Sequence, residues 1–221
     1  EYTSNFANQS DVVLQPTCQP SGSRNATYTF FFGGKDDKLY SIPSSIKVFG
    51  RFRVELQTGE ALTSEVLAPV CNFPEAIFEN ISVTLNGVPI SDHGRAYGYK
   101  AFITKKLSLN PTTKKSSLLS NYWVEEDEIG ATIKLDHANL TNAFKARSKF
   151  IEKSQDVYFV FTPLVDILNT EKYLPPHMEL KMEFERGGAS VSLLSPDESL
   201  DINIKMLDIN MSVRRFLPDP S

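Results

Sequence analysis

Between Ile77 and Leu107 an extended, alternating segment meets an Asn-Gly pair and then gives way to residues at helical spacing. Ile77, Ile81, Val83 and Leu85 share one side of the extended chain, and Glu79, Ser82, Thr84 and Asn86 fall mostly on the other, the period of a half-buried strand. Asn86-Gly87 tolerates positive φ at both positions, which predicts a tight hairpin returning through Val88, Pro89 and Ile90. In the helix expected over 95–107, Tyr99, Phe102, Ile103 and Leu107 gather on one stripe, with Lys100, Thr104 and Lys105 outside it. Lys106 intrudes on that stripe and must snorkel outward.

The rest of the chain is mostly strand-like. Thr27 to Phe32 is an aromatic strand ended by Gly33-Gly34. Ile46, Val48, Phe52, Val54 and Leu56 alternate against Lys47, Arg51, Arg53 and Glu55, and Gly50 on the apolar face leaves room for a bulky neighbour. A short turn of helix is expected over 113–119. Phe144 to Ile151 alternates weakly, and Val157 to Phe161 is apolar on both faces, as in a strand covered on both sides. Leu164 to Leu168 reads as one helical turn, and Gly187-Gly188 as a turn between strands. Met178, Leu180, Met182 and Phe184 oppose Glu179, Lys181, Glu183 and Glu185, a one-sided strand. In the last strand Ile202, Ile204 and Met206 hold one phase, and Leu207, Ile209, Met211 and Val213 the other. An extended chain changes phase by inserting a residue, so a β-bulge is expected near Met206-Leu207.

Roughly eight strands with a short helical insertion predict an all-β fold, a two-sheet sandwich for which a jelly roll is one of several possible connectivities. Residues 1–26, rich in Ser, Asn, Gln and Pro, read as a flexible N-terminal arm, 27–217 as a single domain and 218–221 as a linker. A hydrophobic content of 41%, with 15 Phe and 8 Tyr, is enough to fill such a core and excludes a disordered protein.

Little chemistry is legible. The net charge of −4 supplies no bulk attraction for nucleic acid, although Lys105-Lys106 and Lys114-Lys115 are locally basic. Cys18 and Cys71 lack close Cys or His partners, which argues against a zinc site or disulfide framework. His93, His137 and His177 are isolated, whereas a metal-dependent jelly-roll enzyme needs clustered histidines, so no metal, cofactor or catalytic residue is assigned. Glu125-Glu126-Asp127-Glu128 reads as a solvated loop, because side chains adjacent in sequence point apart. No run is long enough to cross a bilayer. Sequons begin at Asn8, Asn25, Asn80, Asn139 and Asn210, but Asn80 and Asn210 fall inside expected strands. Tyr97, Tyr99, Tyr122 and Trp123 suit a sugar-binding groove, yet core or interface packing is the simpler reading.

Five segments, Phe78 to Gly87, Ala96 to Ile103, Lys114 to Ser120, Tyr173 to Met182 and Ile204 to Arg215, resemble, in that order, the major capsid proteins of Polinton/Maverick elements and adintoviruses. The strand Phe78-Glu79-Asn80-Ile81-Ser82-Val83-Thr84-Leu85-Asn86-Gly87 looks like that family's strand ending in Leu-Asn-Gly. Ala96-Tyr97-Gly98-Tyr99-Lys100-Ala101 is similar to its helix start, with Gly98 where proline is expected, and Lys114-Lys115-Ser116-Ser117-Leu118-Leu119-Ser120 to a following stretch. Tyr173-Leu174-Pro175-Pro176-His177-Met178-Glu179-Leu180 resembles its loop into a charged strand, and Ile204 through Arg215 its closing strand. The resemblance implies a non-enzymatic virion protein with two jelly rolls per chain, this being the first, and three chains in each pseudo-hexagonal capsomer. It implies as partners further copies of the chain, other capsid proteins and the second jelly roll, with no specific nucleic acid. Tyr97, Tyr99, Phe102, Lys105, Lys106, Tyr122 and Trp123, in the 86–123 region, are the expected contact residues. A carbohydrate- or receptor-binding sandwich is the alternative.

Overall fold

The computed structural model describes residues 6–16, 26–34, 38–63, 66–92, 94–116, 118, 121–126, 140–197 and 199–218. Among the described residues eight strands carry the fold: β1 (Phe6–Leu14), β2 (Thr27–Phe32), β3 (Tyr40–Leu56), β5 (Phe78–Leu85), β6 (Val88–Ser91), β7 (Val157–Phe161), β8 (Leu180–Arg186) and β10 (Ile202–Pro218). They form two antiparallel four-stranded sheets, ordered β1-β10-β3-β7 and β2-β8-β5-β6. First therefore pairs with last, second with second-last, and so on inward to the β5-β6 hairpin. This nested pairing, wrapped over itself, is a jelly roll. A small third sheet joins β4 (Ala68–Pro69) to β9 (Leu193–Leu194).

Alternation decides which side chains enter the sandwich. Tyr28, Phe30 and Phe32 of β2, Leu180, Met182 and Phe184 of β8, and Ile81 and Val83 of β5 meet Val48, Phe52, Phe159, Phe161, Met206 and Met211 from the other sheet, all buried. Edge-to-face rings lock the interior, with Phe30 5.6 Å from Phe184, and Phe78 stands 5.9 Å from Phe161. Each such side chain contributes about 1.5–3 kcal/mol by leaving water.

Two local expectations are met closely. Asn86 and Gly87 take φ of 48° and 80°, the mirror-image turn that a two-residue hairpin requires. The pairing of β10 with β3 slips between Met206 and Asp208, so Leu207 is the inserted residue. The slip also corrects the reading of Gly50. Gly50 pairs with Ile209, and a Cβ there would lie 2.1 Å from the Asp208 carbonyl oxygen, so the space accommodates backbone and not a bulky side chain.

Other expectations fail for identifiable reasons. Within the segment read as an arm, β1 is a strand on the edge of its sheet, registered by backbone bonds to β10, which its mixed polar sequence does not advertise. Residues 144–151 are not extended: Asn142–Ser148 is a helix, α4, whose N-cap Thr141 accepts a hydrogen bond from the Phe144 amide at 3.0 Å. β7 is covered on one face only: Val157, Phe159 and Phe161 enter the core between the sheets, while Tyr158, 66% exposed, and Val160 lie on the outer face. Gly187-Gly188 leads from β8 into a helical turn, α5 (Ala189–Ser192), and not directly into a strand. By contrast, the single helical turn expected over Leu164 to Leu168 is present, shifted slightly, as the 3-10 turn Asp166–Asn169.

The insertion lies between β6 and β7. It holds α2 (Tyr97–Ser108), α3 (Pro111–Ser116) and α4, while α1 (Phe73–Ala76) precedes β5. Gly98 explains itself here: a Cβ at this position would come 3.1 Å from Ala76 Cα, so glycine lets α2 approach α1 closely. Among the described residues no helix is long and apolar enough to cross a membrane.

Candidate assembly interface

Helix α2 is turned opposite to the expected way. Tyr97 and Ala101 are buried and Lys105 follows them on the same face, whereas Tyr99, Ile103 and Leu107 are 65%, 53% and 81% exposed. The cause lies in α1. Glu75 is completely buried, and a buried carboxylate is tolerated only when paired and hydrogen-bonded. Its Oε1 accepts from Tyr97 Oη at 3.0 Å, and its Oε2 accepts from Lys105 Nζ and Asn72 Nδ2, both at 2.6 Å. Lys105 also donates to Asn72 Oδ1 at 3.3 Å. With its amide oxygen turned toward Lys105, Asn121 accepts from Nζ at 2.8 Å and donates to the Val160 carbonyl of β7 at 2.6 Å. All three ammonium protons thus have acceptors.

Tyr97 completes the anchor by accepting from the Leu164 amide at 3.0 Å. Burial, reinforced by the Glu75 charge, pushes its phenol well above the ordinary tyrosine range, so it stays protonated and keeps donating. The helix is held from beneath by charge and hydroxyl, and its apolar stripe faces outward as a consequence.

The following segment is fastened separately. Arg147 of α4 is buried and donates to the Pro69 carbonyl at 2.8 Å, the Val124 carbonyl at 2.6 Å and Glu126 Oε1 at 2.6 Å. Trp123 is 5% exposed, stacks on Phe102 at 5.4 Å and donates to Glu125 Oε1 at 3.0 Å. Tyr122 packs edge-on against Phe150 at 4.7 Å and donates its hydroxyl to the Tyr158 carbonyl. A groove of about 610 Å³ runs beside α2, bordered by Tyr99, Phe102, Lys106, Val70 and Val191. Cys71 lines it as well, and burial above all pushes its thiol up to about 11, so it is not a thiolate nucleophile near neutral pH.

The seven contact residues expected from sequence therefore divide. Tyr99 and Lys106 are exposed, and Phe102 and Tyr122 are half-buried. Tyr97, Lys105 and Trp123 correct the expectation, because they are structural supports facing inward. Ile103 and Leu107, assigned to the inner stripe, stand outside instead. No local signal marks this reversal, since Glu75 lies 30 residues before Lys105. Of the four rings read for a sugar groove, Tyr97 and Trp123 are buried, Tyr122 is half-buried against Phe150 and Tyr99 is exposed, so they do not line one open surface together. Asn80 is buried, which removes it as a glycan acceptor in the folded chain. Glu125 and Glu126 take part in ion pairs, which corrects the solvated-loop reading for those two, while Asp127 and Glu128 lie outside the described residues, as do Cys18, His93 and His137. Among the described residues no three His, Cys, Asp or Glu side chains gather as a metal site.

Neither a protein-family model nor a curated protein matches this sequence. Solved structures match its fold. A chain of the Sputnik virophage superposes with a TM-score of 0.62 at 10% identity, over 100% of this chain and 50% of that one. The Faustovirus major capsid protein gives 0.59 at 8% identity, over 100% and 56%, and the mavirus major capsid protein 0.50 at 12%, over 95% and 47%. This chain spans about half the length of each.

Proposed function

We propose that this jelly roll is a structural unit of a viral-type major capsid protein, a double jelly-roll subunit of the Polinton/Maverick and adintovirus kind that forms trimeric pseudo-hexagonal capsomers in the virion shell. The observation that carries the reading is the match of this chain's jelly roll, over nearly its whole length, to about half of viral chains that include the Faustovirus and mavirus major capsid proteins. The ordered sequence resemblance over 75–216 supports the finer lineage. Such a protein needs no catalytic residue, because many weak contacts repeated by symmetry hold a shell together.

In this reading the α2 stripe is the contact face between subunits. Tyr99, Ile103 and Leu107 with Lys106 supply the surface, Phe102 and Tyr122 its half-buried margin, and Tyr97, Lys105 and Trp123 the rigid backing. The partners are further copies, other capsid proteins and a second jelly roll. The deciding experiment expresses this jelly roll together with the sequence encoded after Ser221 and measures native mass and particle shape by light scattering and electron microscopy. Trimers with a pseudo-hexagonal outline are the expected result, lost in a Tyr99→Ser/Leu107→Ser variant. A monomer that binds glycans would overturn the proposal.

A further inference from the structure

Sheet edges are hazardous in proportion to their apolar content, and the edges of this sandwich are not equal. β6 is only four residues long and contains Pro89. β1 carries Asp11, paired with Arg214 at 2.9 Å. β2 has no charge of its own, but Lys181 of β8 sets its ammonium over the Phe31 ring at 5.9 Å. β7 reads Val157-Tyr158-Phe159-Val160-Phe161, with neither charge nor proline of its own, the composition that favours pairing with another chain, and Arg51 of β3 sets its guanidinium over the Tyr158 ring at 5.9 Å much as Lys181 does for Phe31. Two of its carbonyls are nonetheless engaged from outside the sheet. The Val160 oxygen takes the Asn121 amide at 2.6 Å, and the Tyr158 oxygen takes the Tyr122 hydroxyl. Neither side chain belongs to a strand, so each occupies a place that a strand from another molecule would take.

A second observation points the same way. Tyr122 has a φ of 55°, a left-handed conformation that bulky residues adopt rarely and at a cost. The strain is sustained by the ring contact with Phe150 and by the hydroxyl bond to β7. Asn121 is held by Lys105, so the guard is tied to the anchor beneath α2.

We infer that Asn121-Tyr122 is an edge guard, which stops β7 of one copy from pairing with β7 of a second copy and leaves association to other faces. The inference does not rest on the capsid reading, because an unguarded β7 is sticky whatever the protein builds. Light scattering over a concentration series, with circular dichroism to verify the fold, tests it. Tyr122→Phe keeps the ring and removes the hydroxyl, and it should strengthen self-association beyond the parent species about tenfold; Asn121→Ala/Tyr122→Phe should strengthen it further and add the infrared signature of intermolecular sheet. Adding Tyr158→Lys, a charge on the edge strand itself, should return the double variant to the parent species. The inference is overturned if a folded double variant associates no more than the parent, or if its association persists with Tyr158→Lys. Should the double variant fail to fold, Tyr122→Phe alone decides by the same criterion.

Discussion

The molecule has two buried interiors built on opposite principles. Between the sheets, alternate positions of β2, β8 and β10 bury apolar side chains against one another, and contact there is non-directional. Beneath α2, Glu75, Lys105, Tyr97, Asn72 and Asn121 bury charge and amide, and every bond has a required partner and direction. The apolar interior supplies stability and tolerates approximate shape. The polar one chooses an orientation, and it chooses to turn the greasy side of α2 toward solvent.

The largest effects come from breaking either interior. Phe184→Ala leaves a cavity and should cost about 3–5 kcal/mol in a urea titration. Lys105→Ala strands the Glu75 carboxylate and should cost about as much, roughly 3–5 kcal/mol. Replacing both charges together separates the two principles: Glu75→Leu/Lys105→Met should recover to within about 2 kcal/mol of the parent, since no buried charge is left unpaired. A double variant as unstable as Lys105→Ala would break the contrast.

Alkaline titration sharpens it further. Burial raises the phenols of Tyr97 and Tyr28, and raises Tyr122 to about 12, so the folded state retains these protons where the unfolded chain has lost them. Their contribution is complete below about pH 10, the ordinary tyrosine value, and is lost as pH rises toward the folded values. Tyr97→Phe, although less stable at neutral pH, should show a flatter loss of stability above pH 10 than the parent, and an unchanged slope would contradict the assignment.

A smaller effect is expected at the cap of α4, where Thr141→Ala should cost about 1 kcal/mol by thermal or urea melting. Smallest of all should be Ile103→Ser and Leu107→Ser. Both side chains are exposed, so the stability of the isolated fold should change by no more than about 0.5 kcal/mol. A loss several times larger would mean that the stripe packs inward after all.

Legibility followed the same division. The Asn86-Gly87 hairpin, the one-sided β8 and the Leu207 bulge could be read because period and turn chemistry act on neighbours in the chain. β1 was hidden because an edge strand draws its register from its partner's backbone, and α4 because its Thr141 cap mattered more than the weak alternation after it. At the α2 face, Tyr99 and Lys106 stand exposed while Tyr97, Lys105 and Trp123 turn inward, a split that spacing along the chain does not show. An apolar stripe at helical spacing ordinarily points to the core. Here that rule was overruled by one buried carboxylate on another element.

By itself the amino-acid order determined most of the strands, the hairpin turn, the phase change in the last strand and the presence of a helix between β6 and β7, all consequences of side-chain spacing within one segment. Only the tertiary structure decided that the strands nest into a jelly roll, that α2 shows its apolar side to water and that Asn121 and Tyr122 reach the edge of β7. Those outcomes depend on groups distant in sequence meeting at hydrogen-bonding distance, and no local period encodes which buried charge will find which partner.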